Sequence, residues 1–162
     1  MYNESWLQLQ RKTPQLLSYE DRALYSTWNI SINHVKQQSK LAAKLLQLWA
    51  YFDNQDVWFE LLQGCQHRSS QWFADQRRSP QWFSDLIKDQ LSFDETVRVL
   101  CDHALIEADD TLTDKHVASQ GYSMHSCVHS WTIHVVNQEW DTEMGALALG
   151  CVARHTLCTD QY

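Results

Sequence analysis

One apolar spacing recurs along this chain and favours a helical fold. Apolar residues at positions i, i+4, i+7 and i+11 lie on one side of an α-helix, because this spacing follows the 3.6-residue turn. Residues 41–52, 93–104 and 140–151 all carry it. The 162 residues include only 4 glycines and 2 prolines, which disfavours a sandwich of short strands joined by tight turns. We therefore expect a mainly α protein.

Local signals predict where the individual helices begin and end. Ser39 is the expected N-cap of a helix over residues 40–52. Ser92 and Glu95 are spaced as a capping box, which predicts that the following helix begins at Ser92. Residues 127–136 are expected to form one further helix, because their apolar positions share a face.

Two short segments between these helices predict a β-hairpin. Residues 105–108 form the first candidate strand, and in the second, residues 122–125, Tyr122 and Met124 alternate onto one face. Residues 109–120 are polar and are expected to form a long hairpin loop. The order helix, helix, helix, hairpin, helix is that of a winged helix. The predicted fold class is therefore a mainly α, winged-helix-like domain with one small two-stranded β-hairpin.

The charge of the chain argues against a nucleic-acid partner. Lys and Arg total 13, Asp and Glu total 20, and the net charge is −7. The recognition helix of a DNA-binding winged helix would be residues 92–103, which carry three acidic side chains and Arg98. Such a helix repels phosphates, so we favour a winged helix that packs against protein. We also expect no membrane partner, since no apolar run reaches the roughly 18 residues of a membrane span.

Cysteine usage bears on the compartment. The five cysteines are odd in number and scattered, which fits reduced thiols in a cytosolic or nuclear protein. The N-terminus has no basic segment followed by an apolar stretch, so no secretory signal is visible. We expect a cytoplasmic location.

Residues 125–129 (His-Ser-Cys-Val-His) are the clearest candidate for metal or catalytic chemistry. On a helix, His125 and His129 would share a face and could bind a metal ion. The segment is not H-E-x-x-H, because it lacks the glutamate that acts as a base. A dyad of Ser126 and His129 lacks the G-x-S-x-G elbow of a hydrolase. We therefore predict no metal site and no catalytic residue, with Cys127 in the core and His129 partly exposed.

Nucleotide-binding loops are missing from the sequence. G-x-x-x-x-G-K-[ST] and G-x-G-x-x-G are both absent, and none of the four glycines is followed by lysine. The chain cannot by itself build a loop that cradles phosphates. We expect no enzyme activity and no cofactor for the chain alone.

The eight tryptophans raise the question of a binding surface. Most lie on apolar helix faces, where packing in a core or a domain interface is the better interpretation. Trp72 and Trp82 lie in the polar part of the chain, within a short duplication (Gln-Trp-Phe-Ala-Asp, then Gln-Trp-Phe-Ser-Asp). We expect these two side chains to be exposed and to form a possible interaction surface.

Several blocks of the sequence together resemble a known family. They are residues 27–35 (TWNISINHV), 41–53 (LAAKLLQLWAYFD), 98–107 (RVLCDHALIE) and 121–131 (GYSMHSCVHSW). They are similar to the segment after the nucleotide-binding core in fungal NLR-like STAND NTPases. These are NB-ARC proteins that often carry C-terminal tetratricopeptide repeats. The similarity covers roughly residues 18–155.

The resemblance implies roles for two residues at the end of the hairpin. Met124 and His125 match the methionine–histidine pair of the family's MHD-type motif. By carry-over, His125 is the nucleotide sensor that reaches the β-phosphate of bound ADP and holds the resting state closed. Met124 packs behind it. Ser126 stands where the family has an aspartate, so a capping or electrostatic role of that third residue is not supported.

The resemblance also implies how the chain is divided. Residues 1–36 correspond to the end of a preceding helical (ARC-type) region and a connector. Residues 37–137 form the winged-helix domain, with a polar insertion at about 65–80. Residues 138–162 form the first helix of a helical repeat region and a frayed tail. Helices of neighbouring domains thus flank the winged helix.

These implications define the expected function. The chain is expected to be a non-catalytic regulatory and interaction module of a nucleotide-dependent STAND switch, an NLR-like protein of signalling or self/non-self recognition. ADP or ATP is implied for the parent protein, not for this chain alone. The implied partners are an NB-ARC-type ATPase core and helical repeats, in cis or in trans. The alternative is a stand-alone protein–protein adaptor with no nucleotide role.

Overall fold

The computed structural model describes residues 19–55, 57–64, 79–109 and 120–159. The helices of these segments are α1 (Tyr19–Gln38), α2 (Lys40–Trp49), α3 (Phe59–Gln63), α4 (Gln81–Leu86), α5 (Gln90–Asp102), α6 (Ser126–Trp131) and α7 (Thr142–Thr159). A π-helical turn, Thr132–Val136, continues α6. The strands are β1 (Glu107–Asp109) and β2 (Gly121–Ser123). The expectation of a mainly α protein with one small two-stranded hairpin is confirmed.

The two strands form an antiparallel hairpin that a third segment joins. The register places Glu107 opposite Ser123 and Asp109 opposite Gly121. Val57 bridges to the other edge of β2, where its N–H and C=O bond the main chain of Tyr122 at 3.0 and 2.9 Å. Along the chain the elements are therefore helix, bridge, two short helices, long helix and hairpin. This order matches the winged helix expected from the sequence.

Helix α2 lies at the centre of the core. Ser39 caps it, since the Ser39 hydroxyl accepts from the amide of Ala42 at 3.1 Å. One face is fully buried, and α1, α4, α5, α7 and the π-helical turn all pack against this helix. The helix ends at Trp49 rather than at residue 52, because Tyr51 and Phe52 bond three residues back, in a tighter turn.

Helix α5 begins earlier than predicted. The expectation that Ser92 is the N-cap is wrong, because Asp89 caps the helix and its carboxylate accepts from the Ser92 amide at 2.7 Å. That backbone hydrogen bond lowers the pKa of Asp89. Asp89 and Ser92 are both good capping residues, and only two residues lie between them. The helix takes the earlier one, and Ser92 then occupies its first turn.

Helix α5 ends in a left-handed turn at a residue that is not glycine. Ala104 has a φ of 53°. Its N–H bonds the carbonyl of Cys101 at 2.9 Å, and the N–H of Leu105 bonds the carbonyl of Leu100 at 3.0 Å. This is the Schellman pattern. It is usually accompanied by an apolar contact, and the two residues at those positions, Leu100 and Leu105, are both buried. The turn directs the chain from α5 into β1 and so sets where the wing begins.

The predicted helix over residues 127–136 consists of two parts. After α6 the chain widens into the π-helical turn, whose last bond joins the Asn137 amide to the Thr132 carbonyl five residues back, at 2.9 Å. The Thr132 hydroxyl also bonds the Val128 carbonyl at 2.8 Å. β-Branched residues crowd this segment and lower its preference for regular α-helix.

The core contains both large aromatic and aliphatic side chains. Trp49 and Trp131 are fully buried, whereas the other described tryptophans are only partly buried (Trp28, Trp58, Trp82) or exposed (Trp140). The indole N–H groups of Trp49 and Trp131 have no acceptor among the described residues. Trp28 packs against Trp131 with ring centroids 5.8 Å apart. Each fully buried large side chain contributes roughly 1.5–3 kcal/mol.

Helix α7 begins two residues after the start of its predicted apolar stripe. Asp141 caps it, with its carboxylate accepting from the amides of Glu143 and Met144 at 2.9 and 3.1 Å. Met144 and Cys151 are buried as the stripe predicts, whereas Trp140 precedes the helix and is 75% exposed. The expectation that Trp140 belongs to the buried stripe is therefore wrong.

Candidate functional site

The candidate site lies where β2 runs into α6. Met124 leaves the strand with its side chain 1% exposed. Its N–H donates to the Asn54 carbonyl at 2.6 Å, and its carbonyl accepts from the Asn54 side-chain amide at 3.1 Å. The Thr132 hydroxyl lies 3.9 Å from the Met124 sulfur. Both main-chain groups of Met124 are therefore held by Asn54, which lies 70 residues earlier in the chain.

His125 follows immediately and is exposed. Its ring Nδ1 accepts from the Cys127 amide at 3.2 Å, so the side chain is the N-cap of α6. A neutral imidazole whose Nδ1 accepts must carry its proton on Nε2. That N–H has no acceptor among the described residues, so it is available as a donor at the protein surface.

His129, one turn along α6, has a different role. Its Nε2 lies 2.9 Å from the carbonyl of Phe52, and because a carbonyl only accepts, the nitrogen donates. His129 is half-buried, as expected. It joins α6 to the end of α2 and does not share a ligand position with His125. In the described segments no group of three or more His, Cys, Asp or Glu side chains is placed to hold a metal ion.

Three cysteines, Cys101, Cys127 and Cys151, lie among the residues whose side chains the structure describes, and all three are free thiols. Cys127 is exposed, which corrects the expectation that it lies in the core, because the His125 cap turns the first residues of α6 outward. Burial raises the pKa of Cys101 and lowers that of His134, so the neutral form is favoured for both groups.

Helix α5 presents a mixed surface where a DNA-binding winged helix would contact bases. Its exposed stripe contains Leu91, Glu95, Arg98 and Asp102. An apolar residue, two carboxylates and one guanidinium are a poor match for a phosphate backbone. Whether this surface packs against protein stays a prediction. No helix of the described segments is both long and apolar enough to cross a membrane.

The two tryptophans expected in a surface loop differ in outcome. Trp72 lies outside the described residues. Trp82 lies on α4 and not in an irregular loop; it is half-buried and meets Phe83 edge to face, with ring centroids 5.7 Å apart. Pro80 is the N-cap of that helix, and a proline directly before a helix was a signal in the sequence, because the fixed φ of proline suits a helix start.

The exposed tryptophan of the described chain is Trp140, which sequence reasoning missed. Its indole packs edge to face on Tyr51, with ring centroids 4.8 Å apart, and closes over Gly145. The Tyr51 hydroxyl accepts from the Asp141 amide at 2.8 Å. Asp141 followed by Thr-Glu is a capping pattern, and it could have placed Trp140 outside the helix.

A cleft of about 480 Å³ opens beside this tryptophan. One wall is formed by α1 and α2, and the other by the π-helical turn, residues 137–139 and Asp141, whereas Trp140 does not line it. The segment between the π-helical turn and α7 is attached to α2, because the Asn137 side chain donates to the Gln47 carbonyl at 2.8 Å. Lys36 and Lys44 lie on the helical wall. The cleft is separate from His125, which does not line it.

Comparison with known proteins gives no relative from which a function could be transferred. No family model matches the chain, and no curated protein or solved structure is significantly similar to it.

Proposed function

We propose that this chain is the winged-helix regulatory module of a nucleotide-dependent switch of the NLR-like STAND type. It acts in the cytoplasm and has no catalytic activity of its own. One observation carries the proposal: His125 ends the wing with its Nδ1 engaged by the Cys127 amide and its Nε2–H left as an exposed donor. A phosphate oxygen of bound ADP is a suitable acceptor for that group.

The surroundings of His125 support a sensor, because a sensor needs a fixed position. Asn54 holds both main-chain groups of the preceding residue, Met124. The cap to Cys127 limits rotation of the imidazole ring. The donor therefore needs little reorganisation when a phosphate arrives.

The free energy of this hydrogen bond is in the range that a switch needs. A hydrogen bond to a charged group contributes roughly 1.5–3 kcal/mol. If the bond exists only in the closed arrangement, its loss shifts the balance between closed and open forms by about 10- to 150-fold. That change is large enough to release a resting state without unfolding the module.

The chain supplies one donor, and a partner must supply the rest of the nucleotide site. The sequence has no G-x-x-x-x-G-K-[ST] loop, so an NB-ARC-type ATPase core would hold the nucleotide. Helix α1 packs on α2 and α5, and α7 packs on α2 and α3. We assign α1 to the preceding helical region and α7 to the first helix of a repeat array.

The first experiment reads the messenger RNA upstream of the Met1 codon. An in-frame segment that encodes G-x-x-x-x-G-K-[ST] is expected. The protein that contains both parts is then purified and its bound ADP is measured by chromatography after denaturation. Wild-type protein is expected to retain ADP, and His125→Ala to lose most of it.

Two variants separate sensing from folding. His125→Gln keeps a side-chain N–H donor and should retain more ADP than His125→Ala. His103→Ala removes a histidine whose ring contacts Gln38 and His34 instead, so it should behave as wild type. Equal ADP in wild type and His125→Ala contradicts the sensor role, as does a stop codon directly upstream of Met1.

The second candidate function is a protein–protein adaptor without a nucleotide role. Trp140 favours it, since this side chain is 75% exposed beside a cleft, and tryptophan is enriched at the energetic centres of interfaces. An adaptor binds its partner equally well with and without ADP. Association that requires nucleotide would contradict the adaptor.

A further inference from the structure

The cleft between α1, α2 and the chain around residues 137–141 contains two lysines that form no ion pair with any described residue. They are Lys36 and Lys44, which are exposed on its helical wall. On the opposite wall the Asp141 carboxylate already caps α7. Glu139 is exposed near the Trp140 end. The two ammonium groups are therefore available to a carboxylate that enters along α1 and α2.

The amide side chains of the same wall match the polar groups of a peptide main chain. Asn29 and Asn33 line the cleft, are exposed, and make no side-chain hydrogen bond within the described segments. A carboxamide both donates and accepts, as a peptide group does. Four helical residues rise about 6 Å, close to the roughly 6.6 Å that separates alternate residues of an extended chain. Lys36 continues the same face of α1 one turn further on.

Trp140 lies between two lining residues, Glu139 and Asp141, and packs on a third, Tyr51, so it is close to the cleft without lining it. Tyr51 lines the cleft and packs on the indole, whose benzene ring also lies over Gly145, and the side chain as a whole is 75% exposed. The π-helical turn forms part of the wall opposite α1 and α2, and such turns occur frequently at functional sites. A peptide along α1 could therefore place one apolar side chain on the indole.

We propose that this cleft binds an extended peptide segment of a partner protein that carries a carboxylate side chain and an apolar side chain. Lys36 and Lys44 pair with the carboxylate, Asn29 and Asn33 bond the peptide main chain, and Trp140 packs on the apolar residue. The proposal goes beyond the nucleotide sensor and needs no ATPase core. A result that disproves one of the two functions therefore does not bear on the other.

The test selects peptides on the wild-type chain from a random peptide library displayed on phage. The selected peptides are expected to share an acidic residue near an aromatic or aliphatic one. The strongest is then made with a fluorescent label, and its Kd is measured by fluorescence anisotropy. Lys36→Glu/Lys44→Glu and Trp140→Ala should each weaken binding by at least about tenfold.

The matched control is Lys40→Glu/Lys88→Glu, which makes the same charge change at exposed lysines outside the cleft. It should leave Kd within about twofold. A charge exchange tests the ion pairs directly. The peptide with its acidic residue replaced by lysine should bind Lys36→Glu/Lys44→Glu more tightly than it binds wild type, because the attraction is restored with the charges reversed. Circular dichroism checks that each variant is folded.

Three outcomes would overturn the proposal. They are a selection that yields no shared acidic and apolar pattern, a cleft variant that binds the peptide as wild type does, and a charge exchange that restores nothing. Equal weakening by the control lysines would also count against it, because it would show general attraction to a charged surface.

Discussion

Replacing Ala104 with glycine is expected to stabilise the protein. At a φ of 53° a Cβ costs roughly 1–2 kcal/mol, because it approaches the following carbonyl oxygen. Glycine avoids this cost but gains freedom in the unfolded chain, which offsets about 0.4–1 kcal/mol. Ala104 is exposed, so loss of its methyl group leaves no cavity. The two ranges leave a net rise of about 0–1.6 kcal/mol in the free energy of unfolding, with a central value of about 0.8 kcal/mol.

Urea unfolding followed by circular dichroism measures this gain. With a slope of about 2 kcal/mol/M, the central value corresponds to a rise of about 0.4 M in the midpoint. Ala146→Gly is the matched control, because Ala146 is an exposed residue inside α7, where glycine costs about 1 kcal/mol. Its midpoint should fall by about 0.5 M. If Ala104→Gly falls as Ala146→Gly does, the left-handed turn at the end of α5 is refuted.

Three further changes test particular contacts. Asn54→Ala removes the donor to the Met124 carbonyl and should lower the free energy of unfolding by about 1–2 kcal/mol, read as a lower urea midpoint with an unchanged slope. Asp89→Ala removes the cap of α5. Because folding lowers the pKa of Asp89, the difference in urea midpoint between wild type and variant should have its full size above about pH 3.8. The difference should vanish as the pH falls through the lower pKa of the folded state. A midpoint difference that persists in strong acid would contradict this. Gly145→Ala places a Cβ 2.8 Å from the indole of Trp140; because that indole is exposed it should swing away, changing near-ultraviolet circular dichroism while the midpoint moves by less than about 0.5 M.

The fold could be anticipated wherever one physical signal dominated. The stripe of α2 and its Ser39 cap agree with each other, and both are confirmed. At α5 two capping residues compete within one turn, and the sequence offered no means to choose Asp89 over Ser92. The left-handed turn at Ala104 was equally hidden, because glycine normally marks that position. Here the fold holds alanine in a conformation that its local preference opposes.

The candidate site was only partly predictable. The resemblance to the STAND family selected Met124 and His125, and the structure adds the hydrogen bonds that fix them. The link from Asn54 to Met124 joins segments seventy residues apart, so no local pattern could reveal it. The surface tryptophan was misplaced for a similar reason. The apolar spacing placed Trp140 on α7. The helix begins only after its N-cap, Asp141, so Trp140 lies outside it and is exposed.

Sequence alone determined the class of this protein: helices with buried stripes, one small two-stranded hairpin, a net charge of −7 and a sequence without the G-x-x-x-x-G-K-[ST] motif. These properties depend on composition and on spacing over a few turns, which short-range sterics and apolar burial control. Tertiary structure decided which residues work together. It fixed the tautomer of His125, the clamp on Met124 and the cleft beside Trp140, because each depends on groups that only packing brings within hydrogen-bond or van der Waals distance.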